Sequence, residues 1–421
     1  MALDIDQIRR HFPILSRTIG GDPLVYLDSA ATAQKPQAVI DAMAHFLETS
    51  NANAHRGMHV LAEEATVALE DARKTVQRFV NAHRPEEIIV TKSCTESINL
   101  VARSGGKAFL KRGDHVILTL LEHHSNVVPW LQLKEEIGID IDWVDIDNDG
   151  HLQIGMLEDF LQAGHAKLLA ITAQSNVLGV RPPLKDIIRK AHASNVLVLV
   201  DAAQSIAHMP TDVRDLDCDF LAFSGHKLYG PTGIGVLYGK RALLERMPPF
   251  LGGGMMIQNV TTEGFTTADI PAKFEAGTQP VAEAVGLQAA IDWLSQFSWS
   301  DIQAHEDELI THTCNILDAI SGLHRLGPYQ KKSLSPIPDS RFPLHGCVSF
   351  TIDGVHPHDL TEILGRQGIC LRAGHHCTQP LHRRLGVAAT TRLSVGIYNT
   401  NDEIDATIRV VREASSFLGS A

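Results

Sequence analysis

Asp201 and Lys227 each stand at the end of an apolar segment, where a buried parallel strand would deliver a side chain to a ligand. A carboxylate after Val-Leu-Val-Leu-Val is costly unless it meets a cation or hydrogen-bond donors. A lysine in a confined site can lose its proton and bond covalently to an aldehyde. Pyridoxal phosphate needs both groups, an acid for its ring nitrogen and an amine for its aldehyde. The pair therefore predicts a pyridoxal phosphate site; the alternative is a helix-capping Asp201 and a solvated Lys227.

A second candidate feature is the segment 93–100, which is predicted to start a helix directly after a strand. Free backbone N–H groups and the positive end of the helix dipole at such a turn favour a phosphate group. Thr95 would contribute its hydroxyl, although a helix cap is the more frequent use of such a residue. The glycine-rich run 230–235 matches neither the P-loop nor the dinucleotide-binding motif, so no such nucleotide site is predicted there.

Histidine and cysteine side chains complete the set of residues with chemical potential. His123 and His124 follow a predicted strand, where an imidazole can stack on an aromatic cofactor. No cysteine or acidic partner stands at ligand spacing, so no metal site is predicted. Cys377 ends Arg-Ala-Gly-His-His-Cys, whose cationic and dipolar neighbours favour the reactive thiolate form. The alternative is a buried cysteine among structural histidines. For the other five cysteines we favour small apolar packing without chemistry.

The composition fits a folded globular protein, because 44% of its 421 residues are hydrophobic and can bury a large core. The 37 Lys and Arg against 49 Asp and Glu give a net charge of −12, which disfavours nucleic acid and anionic membranes as partners. Asp4 and Asp6 interrupt the apolar core that a secretory signal needs, and no apolar run reaches membrane-spanning length. Dispersed cysteines without a C-x-x-C pair suit a reducing compartment, so we expect a cytoplasmic protein.

The elements that must position these residues are predicted from hydrophobic periodicity. Short apolar runs without alternation indicate strands buried on both faces, and hence a mainly parallel sheet wrapped in helices. The predicted strands of this sheet are 87–90, 115–119, 168–172, 196–200 and 220–223. After about residue 300 the pattern changes to a smaller α+β region, with a helix at 302–320, a strand at 346–352 and a closing helix at 404–418.

This change of pattern predicts an α/β protein in three parts. Segment 1–20, with a short helix at 4–12, is predicted to pack on the smaller domain. Residues 21–295 are predicted to form a large cofactor-binding domain, and residues 296–421 a smaller C-terminal domain that carries the candidate thiol. The proline- and serine-rich stretch 331–342 is predicted to be a loop within the smaller domain.

Taken together, the motifs resemble those of the cysteine desulfurases. These are class V aminotransferase relatives among the fold type I, or aspartate aminotransferase-like, pyridoxal phosphate enzymes, and the likeness is to their Suf-type, or group II, members. The resemblance runs nearly end to end and implies the same architecture. It is carried by Tyr26-Leu-Asp-Ser-Ala-Ala, His55-Arg-Gly, Thr95-Glu-Ser-Ile-Asn-Leu, Glu122-His-His, Ser175-Asn-Val-Leu-Gly, Val200-Asp-Ala-Ala-Gln, Ser224-Gly-His-Lys-Leu-Tyr-Gly-Pro-Thr-Gly-Ile-Gly, Phe274-Glu-Ala-Gly-Thr and Arg372-Ala-Gly-His-His-Cys.

The resemblance implies a role for each matching residue. Lys227 would carry the cofactor, Asp201 would pair with its ring nitrogen and His123 would stack on its ring. Cys377 would receive the sulfur. Gln204 and Asn176 would contact the ring oxygen and the substrate. The phosphate would be bound by Thr95, Ser224, His226 and, from the second subunit of a homodimer, Thr278. Arg392 would bind the substrate carboxylate, and Arg56 and Arg372 would lie at the rim of the site.

The implied activity is that of a sulfurtransferase that converts L-cysteine to L-alanine and passes the sulfur, as a persulfide of Cys377, to an acceptor protein. The Suf-type likeness implies an acceptor of the SufE or SufU type and a role in iron–sulfur cluster assembly. A selenocysteine lyase or a cysteine sulfinate desulfinase would use the same residues, so both alternatives stay open. Intact Lys227 and Cys377 disfavour a non-catalytic scaffold subunit, and the missing glycine fingerprint disfavours a nicotinamide oxidoreductase.

Four residues depart from the family pattern. Cys94 stands where threonine is usual, which removes a hydroxyl donor beside the predicted phosphate site. Thr378 stands where alanine is frequent, and Ala173 and Gln174 replace a pair that commonly contains histidine. We expect these departures to affect the rate and the choice of acceptor rather than the type of reaction.

Overall fold

The computed structural model describes residues 3–55, 57–328 and 344–418. Arg56 and the loop predicted at 331–342 lie outside these ranges, so both stay predictions. Within the described ranges, no helix is both long and apolar enough to cross a membrane.

The strands and helices are numbered separately along the chain. The strands are β1 (Thr18–Ile19), β2 (Asp22–Pro23), β3 (Val25–Tyr26), β4 (Ile88–Thr91), β5 (His115–Thr119), β6 (Asp140–Val144), β7 (Ala166–Thr172), β8 (Leu197–Asp201), β9 (Phe220–Ser224), β10 (Gly235–Gly239), β11 (Ile257–Val260), β12 (Phe265–Thr267), β13 (Leu323–Arg325), β14 (Cys347–Ile352), β15 (Ile369–Cys370), β16 (Arg372–Gly374) and β17 (Thr390–Ser394). The α-helices are α1 (Ile5–Arg10), α2 (Gln37–Thr49), α3 (Val60–Phe79), α4 (Cys94–Leu100), α5 (Gly106–Phe109), α6 (Val128–Ile137), α7 (Ile154–Gln162), α8 (Leu184–Ala193), α9 (Val213–Leu216), α10 (Arg241–Arg246), α11 (Val281–Leu294), α12 (Trp299–Leu317), α13 (Pro357–Arg366), α14 (Gln379–Arg384) and α15 (Asn401–Leu418).

A seven-stranded sheet of order β4-β10-β9-β8-β7-β5-β6 forms the centre of the protein. Its strands run parallel except β10, which is antiparallel to both of its neighbours. The predicted α/β fold with a mainly parallel sheet is confirmed, and the five predicted strands occur close to their predicted bounds. The sequence did not predict β6 or β10.

The apolar runs form this sheet because both of its faces are covered. In β8, Val198 and Val200 belong to one core cluster, whereas Leu199 between them belongs to another. Successive side chains of a strand point to opposite faces, so the two clusters lie on opposite sides of the sheet. Burying a large aliphatic side chain stabilises the fold by about 1.5–3 kcal/mol, which favours strands that are apolar at every position.

A second, antiparallel sheet of order β13-β14-β17-β16 contains the predicted strand at 346–352. It has its own apolar cluster, to which the helices α12, α13 and α15 contribute. Near the N-terminus, Phe12 packs against Trp293 and Tyr398, and Arg9 pairs with Glu403 at 2.8 Å. The N-terminal segment therefore contacts residues on both sides of position 295, and the proposed division at 20 and 295 stays a prediction.

Candidate active site

A cavity of about 210 Å³ lies where the strands of the large sheet end and the second sheet approaches them. The loops after β4, β5, β7, β8 and β9 meet there because the carboxyl ends of parallel strands share one edge. Predicted site residues from both sheets line this cavity, namely Thr95, His123, Asn176, Asp201, Gln204, Ser224, His226, Lys227, Arg372, Cys377 and Arg392.

Asp201, the last residue of β8, is 3% exposed and has one carboxylate oxygen already engaged. Its Oδ1 accepts hydrogen bonds from Ala203 N at 2.9 Å and Cys94 Sγ at 3.3 Å. Its Oδ2 has no hydrogen-bond partner among the described residues and is therefore available to a donor in the cavity. Burial raises the pKa of Asp201, which disfavours the charged carboxylate unless a cation compensates it. A protonated pyridine nitrogen fits both requirements.

Lys227 lies on the turn after β9 and lines the same cavity. Burial lowers the pKa of its ammonium group, although Asp201 acts in the opposite direction. The neutral amine is the form that attacks an aldehyde, so the surroundings of Lys227 suit covalent attachment of such a group.

The turn between β4 and α4 forms the end of the cavity predicted to hold phosphate. The side chain of Ser93 caps α4 by accepting from Glu96 N at 3.2 Å, and Ser224 Oγ accepts from Cys94 N at 2.8 Å. A Cβ at Gly235 would lie 2.5 Å from Ser93 Cα, so glycine is needed for β10 to pass this turn. The turn is thus held in place, with the hydroxyls of Thr95 and Ser224 on the cavity wall.

His123 enters the cavity as a neutral ring with a defined tautomer. Burial, followed by the charge of Lys227, lowers the pKa of His123 to about 3. Ser125 N donates to His123 Nδ1 at 3.1 Å, so the proton of the neutral ring is on Nε2. The loop is anchored by buried Glu122, whose side chain accepts from Thr172 N at 3.0 Å and Asn126 Nδ2 at 2.7 Å. The sequence placed Glu122 in the motif Glu-His-His but assigned it no role in anchoring this loop.

Arg392, on β17, is a buried cation with an unused donor. It is 2% exposed and donates to Asn176 O and to Asp28 Oδ1, both at 3.0 Å. Its buried Nε has no hydrogen-bond partner among the described residues. Arg372 is the cross-strand neighbour of Arg392 and is exposed. The two guanidinium groups provide a place for a carboxylate at the side of the cavity opposite the large sheet.

Cys377 occupies a turn between β16 and α14 in which His376 and Cys377 both have positive φ angles, 48° and 57°. The carbonyl of Cys377 accepts from His124 N and that of His376 from Asn176 Nδ2, both at 2.7 Å. These two bonds connect the thiol-bearing turn to the loops after β5 and β7. The half-buried thiol therefore belongs to the same site as Lys227.

The structure separates Thr278 from the other predicted residues. Thr278 is exposed and does not line the cavity of its own chain, so its predicted place in a second subunit's site stays a prediction. Residues without an assigned role also line the cavity, among them Cys94, Gln174 and His376. Cys94 and Gln174 depart from the family pattern, and this departure is the sequence signal that could have pointed to them. For His376 the only sequence signal is its place directly before Cys377.

Histidines around the cavity make the stability of the protein depend on pH. Burial lowers the pKa of His123 to about 3 and that of His226 to about 4, below an unfolded value of about 6.5. Below about pH 6.5 the unfolded chain therefore binds more protons than the folded chain. The folded state is then fully stable with respect to these histidines above that pH and loses stability as the pH falls.

We expect His123→Gln to reduce the slope of unfolding free energy against pH by about 1.4 kcal/mol per unit between about pH 4 and 6. Urea titrations test this, and an unchanged slope would mean that His123 is not held neutral.

Comparison with known proteins gives a consistent result. The profile of the family described as Aminotransferase class-V matches residues 25–407. The chain is 44% identical over 422 residues to a probable cysteine desulfurase of Streptomyces coelicolor, covering 99% of this chain and 98% of that protein. It is 43% identical to a cysteine desulfurase of Pectobacterium atrosepticum over the full length of both. The crystal structure of the Escherichia coli cysteine desulfurase CsdA superposes with a TM-score of 0.89, at 39% identity, covering 99% of this chain and 100% of that one.

Proposed function

The chain belongs to the aminotransferase class-V family, and from this premise we propose that it is a cysteine desulfurase acting with the family's cofactor, pyridoxal phosphate. The observation that carries the proposal is that Asp201, Lys227 and Cys377 line one cavity. One cavity thereby offers an acid for the ring nitrogen of the cofactor, an amine for its aldehyde and a thiol for the sulfur atom of the substrate.

Pyridoxal phosphate, when bound, supplies an electron sink for the bonds broken next to the amino group of the substrate. Asp201 Oδ2 would hold the proton of its ring nitrogen, and Lys227 would bind its aldehyde. His123 would lie on its ring, and Gln204 and Asn176 would contact the ring oxygen and the substrate. Its phosphate would be bound by Thr95, Ser224 and His226.

The substrate is oriented by the chain's own cations. Arg392 Nε is the buried donor left free for the carboxylate of L-cysteine, and Arg372 adds a second positive charge at the rim. The Lys227 amine, once released from the cofactor, takes the α-proton. We propose the same rim role for Arg56, which lies outside the described residues.

Cys377 performs the sulfur transfer. Its thiolate attacks the sulfur of the bound cysteine, an S–S bond forms, and the C–S bond breaks with its electron pair remaining on the carbon skeleton. The carbon that lost sulfur gains a proton, the α-carbon regains one from Lys227, and the product leaves as L-alanine. Cysteine and the thiol of Cys377 thus give alanine and a Cys377 persulfide with all atoms accounted for. A thiol of an acceptor protein then takes the outer sulfur and regenerates Cys377.

We further propose that the protein is of the Suf type, with an acceptor of the SufE or SufU type and iron–sulfur cluster assembly as the destination of the sulfur. The support is the short, tied turn that carries Cys377 between β16 and α14. Such a turn cannot carry a persulfide far from the cavity, so transfer would need an acceptor docked at its mouth.

We propose a homodimer in which Thr278 completes the phosphate site of the second subunit. Thr278 is exposed and precedes α11, which packs on α2 and α3. These helices expose Leu47 and Val60, and the β11–β12 hairpin exposes Phe265, which is 57% exposed. Large exposed apolar side chains of this kind mark protein interfaces.

A selenocysteine lyase or a cysteine sulfinate desulfinase remains the alternative reading of the same residues. Lys227, Asp201 and Arg392 would serve each of the three substrates, which differ in the leaving group. A non-catalytic scaffold would need neither Lys227 nor Cys377, and a protein purified colourless that cannot take up pyridoxal phosphate would favour it.

Mass spectrometry after addition of L-cysteine tests the proposal directly. We expect one added sulfur atom on the peptide containing Cys377 and alanine in solution in equal amount. The same sample, measured under native conditions, should have the mass of two chains. Alanine without sulfur on Cys377 would contradict the sulfur-acceptor role, and a monomer would contradict the shared phosphate site.

A further inference from the structure

The turn that carries Cys377 has a backbone that needs support. His376 and Cys377 are consecutive residues with side chains and positive φ angles, 48° and 57°. Residues other than glycine avoid the left-handed region of positive φ because their Cβ approaches the carbonyl oxygen. Such conformations persist only where the surroundings fix them, so the position of the thiol depends on the contacts of this turn.

Thr378 closes the turn with two hydrogen bonds to one carbonyl. Its backbone N–H and its Oγ1 both donate to His375 O at 2.8 Å. Thr378 is completely buried, so water does not compete for these bonds. Alanine, which is frequent at this position in the family that the sequence resembles, could not form the hydroxyl bond.

We propose that Thr378 is a positioning residue for Cys377. The Thr378 hydroxyl keeps the left-handed turn in the conformation that presents the Cys377 thiol to the substrate sulfur. The inference rests on the proposed function only for its effect on sulfur transfer. Its effect on the turn itself follows from the hydrogen bonds alone.

The hydroxyl of Thr378 also lies 3.2 Å from His382 Nδ1, the first group of a buried chain that ends at His376. His382 Nδ1 lies 3.1 Å from Thr378 O, a carbonyl that can only accept, so this nitrogen carries the proton of the ring. Burial lowers the pKa of His382, and the Nε2 of the neutral ring accepts from Thr390 Oγ1 at 3.2 Å. Thr390 Oγ1 in turn accepts from His376 Nε2 at 2.9 Å. The ring next to Cys377 is therefore oriented by bonds that begin at Thr378.

Replacing this hydroxyl by a methyl group leaves no buried group without a partner. In Thr378→Val, His375 O keeps the backbone N–H of residue 378, and His382 Nδ1 keeps the carbonyl of residue 378. The substituted side chain has nearly the same volume and the same branching. The variant should fold, and the change removes the bond from the hydroxyl to His375 O together with its longer contact to His382 Nδ1.

One neutral hydrogen bond corresponds to about a three- to tenfold change in an equilibrium or rate. We expect Thr378→Val to slow the formation of the Cys377 persulfide by about this factor at unchanged KM for cysteine. We expect hydrogen exchange at the amides of residues 378 and 379 to become faster by a similar factor. Thr378→Ser restores the hydroxyl and should return both quantities to the parent values.

Thr313→Val is the matched control, because Thr313 is also fully buried and donates its hydroxyl to a helix carbonyl, Leu309 O, at 2.7 Å. This variant should leave persulfide formation and the exchange of the turn unchanged. Equal exchange rates in Thr378→Val and the parent would overturn the proposal, as would a slowed variant that serine does not rescue. If the parent forms no persulfide, the proposed function fails, and the exchange rates alone decide whether Thr378 holds the turn.

Discussion

Replacing Lys227 by alanine is expected to lower alanine production from cysteine by at least about 10⁴-fold. The side chain has two uses in the proposed reaction, since it binds the aldehyde of the cofactor and then takes the α-proton. General base catalysis alone contributes about 10²- to 10⁴-fold, and the loss of covalent attachment adds to it. The visible absorbance band that borohydride bleaches should also be absent from the variant.

Lys92→Ala provides the control for this experiment. Lys92 is exposed and lies one residue before Ser93 at the cavity, so it shares the neighbourhood of the site without lining it. This variant should keep both the absorbance band and the rate. A Lys227→Ala protein that is folded by circular dichroism and still produces alanine within tenfold of the parent would rule out the role of Lys227.

The fold could be predicted because the sheet leaves a strong signal in the sequence. Strands covered on both faces are apolar at every position, and five of the seven strands are recognisable from that property alone. The strand β10 begins and ends with glycine and follows a glycine-rich turn, so its composition did not distinguish it from a loop. Its antiparallel direction depends on the connection through residues 225–234 and cannot be derived from periodicity.

The half of the site on the large sheet could be predicted for a related reason. Asp201 ends β8 and Lys227 follows the neighbouring β9, and parallel strands deliver such residues to one edge. Arg392 lies on the second sheet and Cys377 on a turn that follows one of its strands, more than 140 residues further along the chain. The approach of Arg392 and of the Cys377 turn to Asn176 is a tertiary contact. Only the family resemblance assigned these residues to the site.

Cys94 shows what sequence reasoning about single residues misses. The sequence predicts packing for its thiol, and the family pattern marks only a missing hydroxyl at this position. In the structure its thiol donates to Asp201 Oδ1, the acid of the predicted cofactor site. Which residue lies beside the Cys94 thiol depends on the order and register of the strands β4, β10, β9 and β8, and the sequence does not reveal either.

Cys377→Ser is the second change with a large expected effect, and it also discriminates between the candidate substrates. A hydroxyl is far less nucleophilic towards sulfur than a thiolate, so we expect desulfuration of cysteine to fall by at least about 100-fold. The absorbance of the cofactor should be unchanged, because Cys377 does not hold it in the proposed arrangement. Cys370→Ser, at a half-buried cysteine on β15 that does not line the cavity, should behave as the parent.

The rates of the same variant on selenocysteine and cysteine sulfinate separate the three activities. Selenium and the sulfinate group can leave without attack by a thiol, so a selenocysteine lyase or a desulfinase would keep its rate in Cys377→Ser. A cysteine desulfurase would lose its rate on cysteine while retaining any activity on selenocysteine. Since Cys377 is tied by its own carbonyl to His124 and through His376 to Asn176, the serine variant should preserve the turn and change only the attacking atom. Unchanged desulfuration of cysteine by a folded Cys377→Ser protein would therefore refute the persulfide step itself, not its geometry.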